Sequence, residues 1–258
     1  MLAAVAVFGG IWWRWAPGWW PDIVVRVGPT DEMRMRAAAS PRAADPTSIA
    51  ARMLFRRIRD GKIEPAAYLR HRDPRVRNLV AMAMGHIDVI ANESELVILA
   101  ADQEARVRAR AVMALARGRT GTSGHALVAA IGDVDDAVRY QALIACGERR
   151  IAGCADAAAR ALLDTESSVR IAAASALAAI GAVEHRDDLR PLLADADPGV
   201  RYAAIEALCR LGDERVDEII ATIATLDASE RARLAALAQD LALDDRQRAR
   251  WEALTRTP

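Results

Sequence analysis

Lysine is almost absent from this sequence: Lys62 is the one lysine among 35 basic residues. The preferred reading is a coding bias that also favours alanine, although arginine is the residue selected for bidentate contacts. Phenylalanine and tyrosine are scarce too, at two and three. No alternating runs of β-branched or aromatic residues occur, which excludes a sheet-based fold. Net charge is missing, with 35 acids against 35 bases. A duplex-binding protein carries a basic excess, so the balance argues against nucleic acid as a partner. Three cysteines, Cys146, Cys154 and Cys209, show no CxxC and no clustering with histidine. They give neither a disulfide framework nor a metal site, and fit a reducing compartment. Cys146 falls on an apolar stripe and reads as a small core residue. There is no P-loop, GxGxxG, HExxH or GxSxG. Without a catalytic constellation, neither an enzyme nor a cofactor is expected.

What is present is a repeat. Val-Arg pairs stand at Val76-Arg77, Val107-Arg108, Val138-Arg139, Val169-Arg170 and Val200-Arg201, each step 31 residues long. An acid lies three residues before each valine: Asp73, Glu104, Asp135, Glu166 and Asp197. An alanine lies seven after it: Ala83, Ala114, Ala145, Ala176 and Ala207. A period of this size denotes stacked supersecondary units sharing one core.

Helical hairpins are expected from Thr47. A helix is predicted near 47–60, partnered by residues 64–71. First helices of the phased repeats are predicted near 74–85, 104–117, 135–147, 167–180 and 198–211. Second helices follow near 92–101, 124–131, 152–163, 185–194 and 214–226. Gly85, Gly118, Gly147, Gly181 and Gly212 are placed as left-handed C-terminal caps. A sixth, out-of-phase hairpin over 228–241 and 244–255 lacks the Val-Arg pair and carries Trp251, as terminal repeats of solenoids commonly depart from the consensus.

Residues 197–208 show how one unit works. Asp197 is a helix N-cap and Pro198 suits the first turn. Val200, Ala204, Ala207, Leu208 and Leu211 form one apolar stripe. Arg201 is four residues after Asp197, the favourable order for an i,i+4 ion pair. The same holds for Arg77, Arg108, Arg139 and Arg170 with Asp73, Glu104, Asp135 and Glu166. This row is read as structural, pairing arginines with acids of their own or an adjacent repeat to hold the stack in register, rather than as a ligand-binding ladder.

The D-P-x-V-R-x-x-A-x-x-A-L pattern resembles the HEAT repeat, in the short form of the phycobilisome-lyase HEAT-like repeat. The match covers 73–212 and extends with degenerate ends to 47–255. The resemblance implies an all-α, right-handed α-α superhelix of antiparallel helix pairs, with second helices lining a concave face. It implies little about function, since such proteins include bilin lyases, adaptors, transport receptors and DNA-repair relatives.

Residues 1–25 differ from the array. Leu2 to Trp13 carries no charge, and Trp12, Trp13, Trp15, Trp19 and Trp20 surround Arg14. Tryptophan favours the headgroup level of a bilayer. The 12-residue uncharged run would reach only about 18 Å as a helix. A secretory signal lacks its basic n-region here, and a buried arm would not gather five tryptophans. The segment is read as a membrane-surface anchor or a dock on a membrane partner. Residues 26–46 form a linker with a short helix over 31–39, and 47–258 form the solenoid. A basic patch, Arg52, Arg56, Arg57, Arg59, Lys62, Arg70 and Arg72, belongs to a stretch from 52 to 77 holding nine bases against three acids. It is read as a solvated face of the first repeats or, alternatively, as a surface for anionic lipid or an acidic partner. By the positive-inside rule it favours the cytoplasmic side for the solenoid, with the other side left open. His71, His86, His125 and His185 are scattered and read as exposed or capping residues.

The function expected is a non-catalytic protein-protein interaction scaffold, membrane-tethered, an accessory subunit of a larger membrane-associated assembly. The alternatives are a bilin lyase-like enzyme or chaperone, by resemblance alone, and a HEAT-like nucleic-acid-binding protein, which the neutral charge disfavours.

Overall fold

The structure, a computed structural model, describes residues 24, 30–39, 49–119, 121–213, 215–234 and 243–255. Among them every regular element is helical. The Trp-rich segment containing Trp12, Trp13, Arg14, Trp15, Trp19 and Trp20 lies outside the described residues, as does most of the linker.

Two helices precede the phased repeats: α1 (Asp31–Ala38) and α2 (Ile49–Arg59). A 3-10 turn over Pro65–Tyr68 stands where a partner helix was expected at 64–71. The first helices of the five repeats are α3 (Pro74–Ile87), α5 (Ala105–Leu115), α7 (Asp136–Glu148), α9 (Ser167–Ile180) and α11 (Pro198–Arg210). The second helices are α4 (Glu93–Leu99), α6 (Gly121–Ala130), α8 (Ala155–Ala161), α10 (Arg186–Leu189) and α12 (Val216–Ile223). Short 3-10 turns extend α8 and α10. Two helices close the chain, α13 (Ala228–Leu234) and α14 (Asp245–Thr255).

Each first helix packs on the next, α3 on α5, α5 on α7, α7 on α9 and α9 on α11, and the second helices α4, α6, α8 and α10 each pack on the first helix of the following repeat. Val76, Val107, Val138, Val169 and Val200 have no exposed surface and belong to one continuous core. The apolar stripe predicts this. Every first helix is apolar on the side that its neighbour covers, so no repeat buries its own core alone.

Small residues set the distance between first helices. A Cβ at Gly85 would stand 2.8 Å from Ala114 Cβ, and one at Gly147 would stand 3.2 Å from Ala176 Cα. These two glycines lie inside α3 and α7, not at left-handed caps. Gly118 does not have a positive φ either. The expected cap conformation occurs at Gly181 (φ 82°) and Gly212 (φ 68°). Glycine serves both close approach and positive φ, and the sequence pattern does not separate the two.

A second difference concerns the cysteines. Cys146, in α7, is joined by a disulfide to Cys154, eight residues on at the start of the second helix. Cys146 is indeed fully buried, but it is not a simple apolar filler. The hairpin loop folds Cys154 back to a Cα–Cα distance of 6.2 Å, a proximity that spacing alone does not reveal. The pair departs from the expectation that the three cysteines form no disulfide.

Candidate interaction surface

The arginine row has a different partner from the one the local spacing suggests. Arg77 makes a two-pronged ion pair with Asp102, with Nε to Oδ2 2.6 Å and Nη2 to Oδ1 2.7 Å. Arg108 pairs in the same way with Asp133 at 2.7 and 2.6 Å, Arg139 with Asp164 at 2.7 and 2.8 Å, and Arg170 with Asp195 at 2.9 and 2.9 Å. Each partner is 25 residues on, in the loop leading into the next repeat. The rungs therefore bind repeat to repeat.

Local geometry explains the choice. The third guanidinium nitrogen, Nη1, donates to the carbonyl six residues back: His71 O, Asp102 O, Asp133 O, Asp164 O and, for Arg201, Asp195 O. That bond holds the arginine beneath its own loop and turns its Nε–Nη2 edge toward the next one. The acid four residues before it is occupied elsewhere. Asp73 accepts from Arg75 N at 2.9 Å and Asp197 from Gly199 N at 2.8 Å, as N-caps of α3 and α11. Asp135 caps α7 through Val138 N. Glu104 and Glu166 stand at N-cap positions without a side-chain capping bond. The i,i+4 pairs of Asp73, Glu104, Asp135, Glu166 and Asp197 with the following arginines thus give way to helix capping and to the inter-repeat rungs.

The four receiving aspartates carry a further bond each. Their Oδ1 accepts the backbone N–H two residues on, at 2.9 Å in every case. Burial pushes the carboxyls of Asp102, Asp133, Asp164 and Asp195 up, but the arginine and backbone hydrogen bonds outweigh it and leave all four below the ordinary value. The same carboxylates raise the pKa of Arg77, Arg108 and Arg139. A signal for these residues was present in the sequence. The position is aspartate in all four copies, whereas the N-cap position alternates between Asp and Glu. At the N-terminal end this position holds His71, whose Nε2 lies 2.9 Å from Glu32 in α1 and whose Nδ1 accepts from Asp73 N. At the C-terminal end it holds Leu226.

The basic patch begins on α2 and runs into the first repeat. Arg52, Arg56, Arg59, Lys62, Arg70 and Arg72 are exposed and Arg57 is half-buried. Arg59 and Lys62 approach Asp60. A cleft of about 310 Å³ lies between α3 and α5, lined by Arg75, Asn78, Leu79, Met82, Glu104 and Arg106 among others. It is a mixed surface without a gathered catalytic set. The histidines stay apart. His86 stacks on Phe55, His125 is exposed, and His185 sits between Asp156 and Asp188. Among the described residues no three His, Cys, Asp or Glu side chains gather in a way that could hold a metal, and no helix is long and apolar enough to cross a membrane.

Stacked helix pairs with a shared core and inter-repeat rungs define an α-solenoid. More narrowly, the solenoid is HEAT-like in fold: the family described as HEAT repeats matches residues 155–242. Solved structures of similar fold include the CpcE–CpcF complex of phycocyanin lyase from Nostoc sp. PCC7120, at 18% identity over 74% of this chain and 92% of that one, TM-score 0.52. The Escherichia coli protein YibA is similar at 19% identity over 92% and 96%, TM-score 0.52. An engineered protein is similar at 21% identity over 78% and 97%, TM-score 0.53. At these identities the likeness is one of fold. No curated protein matches the chain.

Proposed function

We propose that the chain is a non-catalytic protein-binding scaffold, with units 1–25, 26–46 and 47–258. Residues 1–25 tether it to a membrane or a membrane protein, and the solenoid holds a partner as an accessory subunit of a larger assembly. The observation that carries this reading is the contrast within one chain. A repeat array locked end to end by ion pairs follows a segment with five tryptophans in nine residues. A rigid array presents a constant surface at little ordering cost, which favours binding. The exposed basic residues of α2 and the first repeat, chiefly Arg52, Arg56, Arg70 and Arg72, are the surface best suited to an acidic partner or to anionic headgroups beside the tether.

Fractionation followed by alkaline carbonate extraction tests the tether. The full chain should remain with the membrane and a chain of residues 26–258 should be released. If the full-length chain is already soluble and monodisperse, the tether is lost from the proposal and only the scaffold remains. The structural likeness to CpcE–CpcF supports a second reading as a bilin-handling protein only at the level of fold. Absence of an absorbance shift on incubation with a linear tetrapyrrole would remove it.

A further inference from the structure

The ladder has five arginines and four acids. Arg201 is anchored as the others are: its Nη1 donates to Asp195 O at 2.9 Å and Ala196 O at 3.3 Å. Arg108, Arg139 and Arg170 make the same two bonds to their own loops. The Nε–Nη2 edge of Arg201 is therefore presented as in the closed rungs. Twenty-five residues on, however, stands Leu226 instead of aspartate. Among the described residues Arg201 Nε is buried with no hydrogen-bond partner, while the residue as a whole is only half-buried. The acids that follow Leu226 are engaged with each other: Asp227 and Glu230 accept each other's backbone N–H in a capping box at the start of α13. A second cation, Arg233, lies over the ring of Tyr202, the next residue of α11, at 4.4 Å.

We propose that Arg201 is a binding site for a carboxylate brought by a partner polypeptide, which closes the fifth rung. The four closed rungs define what fits. Each presents aspartate followed two residues later by a second acid that begins a helix: Asp102 with Glu104, Asp133 with Asp135, Asp164 with Glu166, and Asp195 with Asp197. The partner should therefore offer an Asp-x-Asp or Asp-x-Glu turn whose first carboxylate meets the Nε–Nη2 edge. A single partly exposed fork holds a free carboxylate no better than about millimolar, so the acid must be carried by a chain with further contacts. A planar fork matched to both carboxylate oxygens supplies the selectivity.

The side-chain Nε–H resonances of the full chain read this directly. That of Arg201 is identified by its loss in Arg201→Lys and, should that variant fold poorly, by its displacement in Leu226→Asp, where the chain supplies its own acid. The probe is the blocked peptide acetyl-Asp-Ala-Asp-Pro-Gly-amide, the sequence of residues 195–199, beside acetate and beside the peptide's Asp195→Asn analogue. The expected result is a saturable shift of Arg201 alone, at a peptide concentration at least about tenfold below that needed with acetate, and its loss in Leu226→Asp. A stationary Arg201 signal overturns the site, as does an equal response to the asparagine analogue or an undiminished response in Leu226→Asp. An equal response to acetate overturns the polypeptide assignment. The proposal rests on the protein-binding reading above, and the two fail separately: a partner held equally well by Arg201→Gln would sink the site and leave the scaffold intact.

Discussion

The phased repeats and the closing hairpin use the same kinds of residue but are held by different means. From α3 to α11 the support is distributed: one buried valine per repeat, alanine and glycine where first helices meet, and a rung between successive loops. Beyond Ala228 the support is concentrated. Trp251 is fully buried among α12, α13 and α14, and its indole N–H donates to Leu234 O at 3.3 Å. Capping boxes at Asp227–Glu230 and Asp244–Gln247 start its two helices. A repeated design spreads the cost of a defect over neighbours, whereas the hairpin beyond Ala228 rests, among its described residues, on two fully buried apolar side chains, Leu234 and Trp251.

The strongest way to break this comparison is a charge in the valine row. Val138→Asp buries an unpaired carboxylate and should destabilise the array by more than about 4 kcal/mol in urea unfolding. Val134→Asp, four residues away but 94% exposed, should cost less than about 0.5 kcal/mol. Equal melting of the two would mean that the valines do not form the core. Next comes Trp251→Ala, expected to cost about 3–4 kcal/mol. The loss should be local. Amide exchange should quicken in α13 and α14 and stay slow in α5 to α9, and uniform quickening would contradict the separation drawn here.

A smaller effect separates closed rungs from the open one. Asp133→Ala leaves the half-buried Arg108 without its carboxylate and should cost about 3 kcal/mol. Arg201→Met removes no ion pair and should change stability by less than about 1 kcal/mol in the same assay. The subtlest test is acidity. The rung carboxylates have folded-state pKa values below the ordinary range. Their contribution is therefore complete above the unfolded-state value of about 4 and is lost as pH falls through the lower folded-state values. Thermal melts should show the parent losing stability below about pH 4, with a shallower loss in Asp133→Asn. Parallel profiles would mean that the rungs do not couple proton uptake to unfolding.

Much of the architecture was legible before any coordinates. The 31-residue phase of Val76 to Val200 placed all five first helices within two residues at either end. The second helices were less well bounded, because their ends are 3-10 turns around Cys154, His185 and Leu192 that carry no periodic mark. The ladder was half legible. The arginines were found, but local spacing pointed to Asp73, Glu104, Asp135, Glu166 and Asp197, whose oxygens the helix N-termini already claim in three cases. The invariant aspartates at 102, 133, 164 and 195 were the stronger signal.

The sequence by itself determined the repeat, its helices and the face each turns inward, because hydrophobic periodicity and N-cap chemistry act over a few residues along the chain. Only the tertiary structure decided which acid answers each arginine, which glycines are contact points instead of caps, that Cys146 meets Cys154, and that Arg201 meets no carboxylate among the described residues. All four depend on how one loop or helix lies against the next, a distance in space that no count along the chain contains.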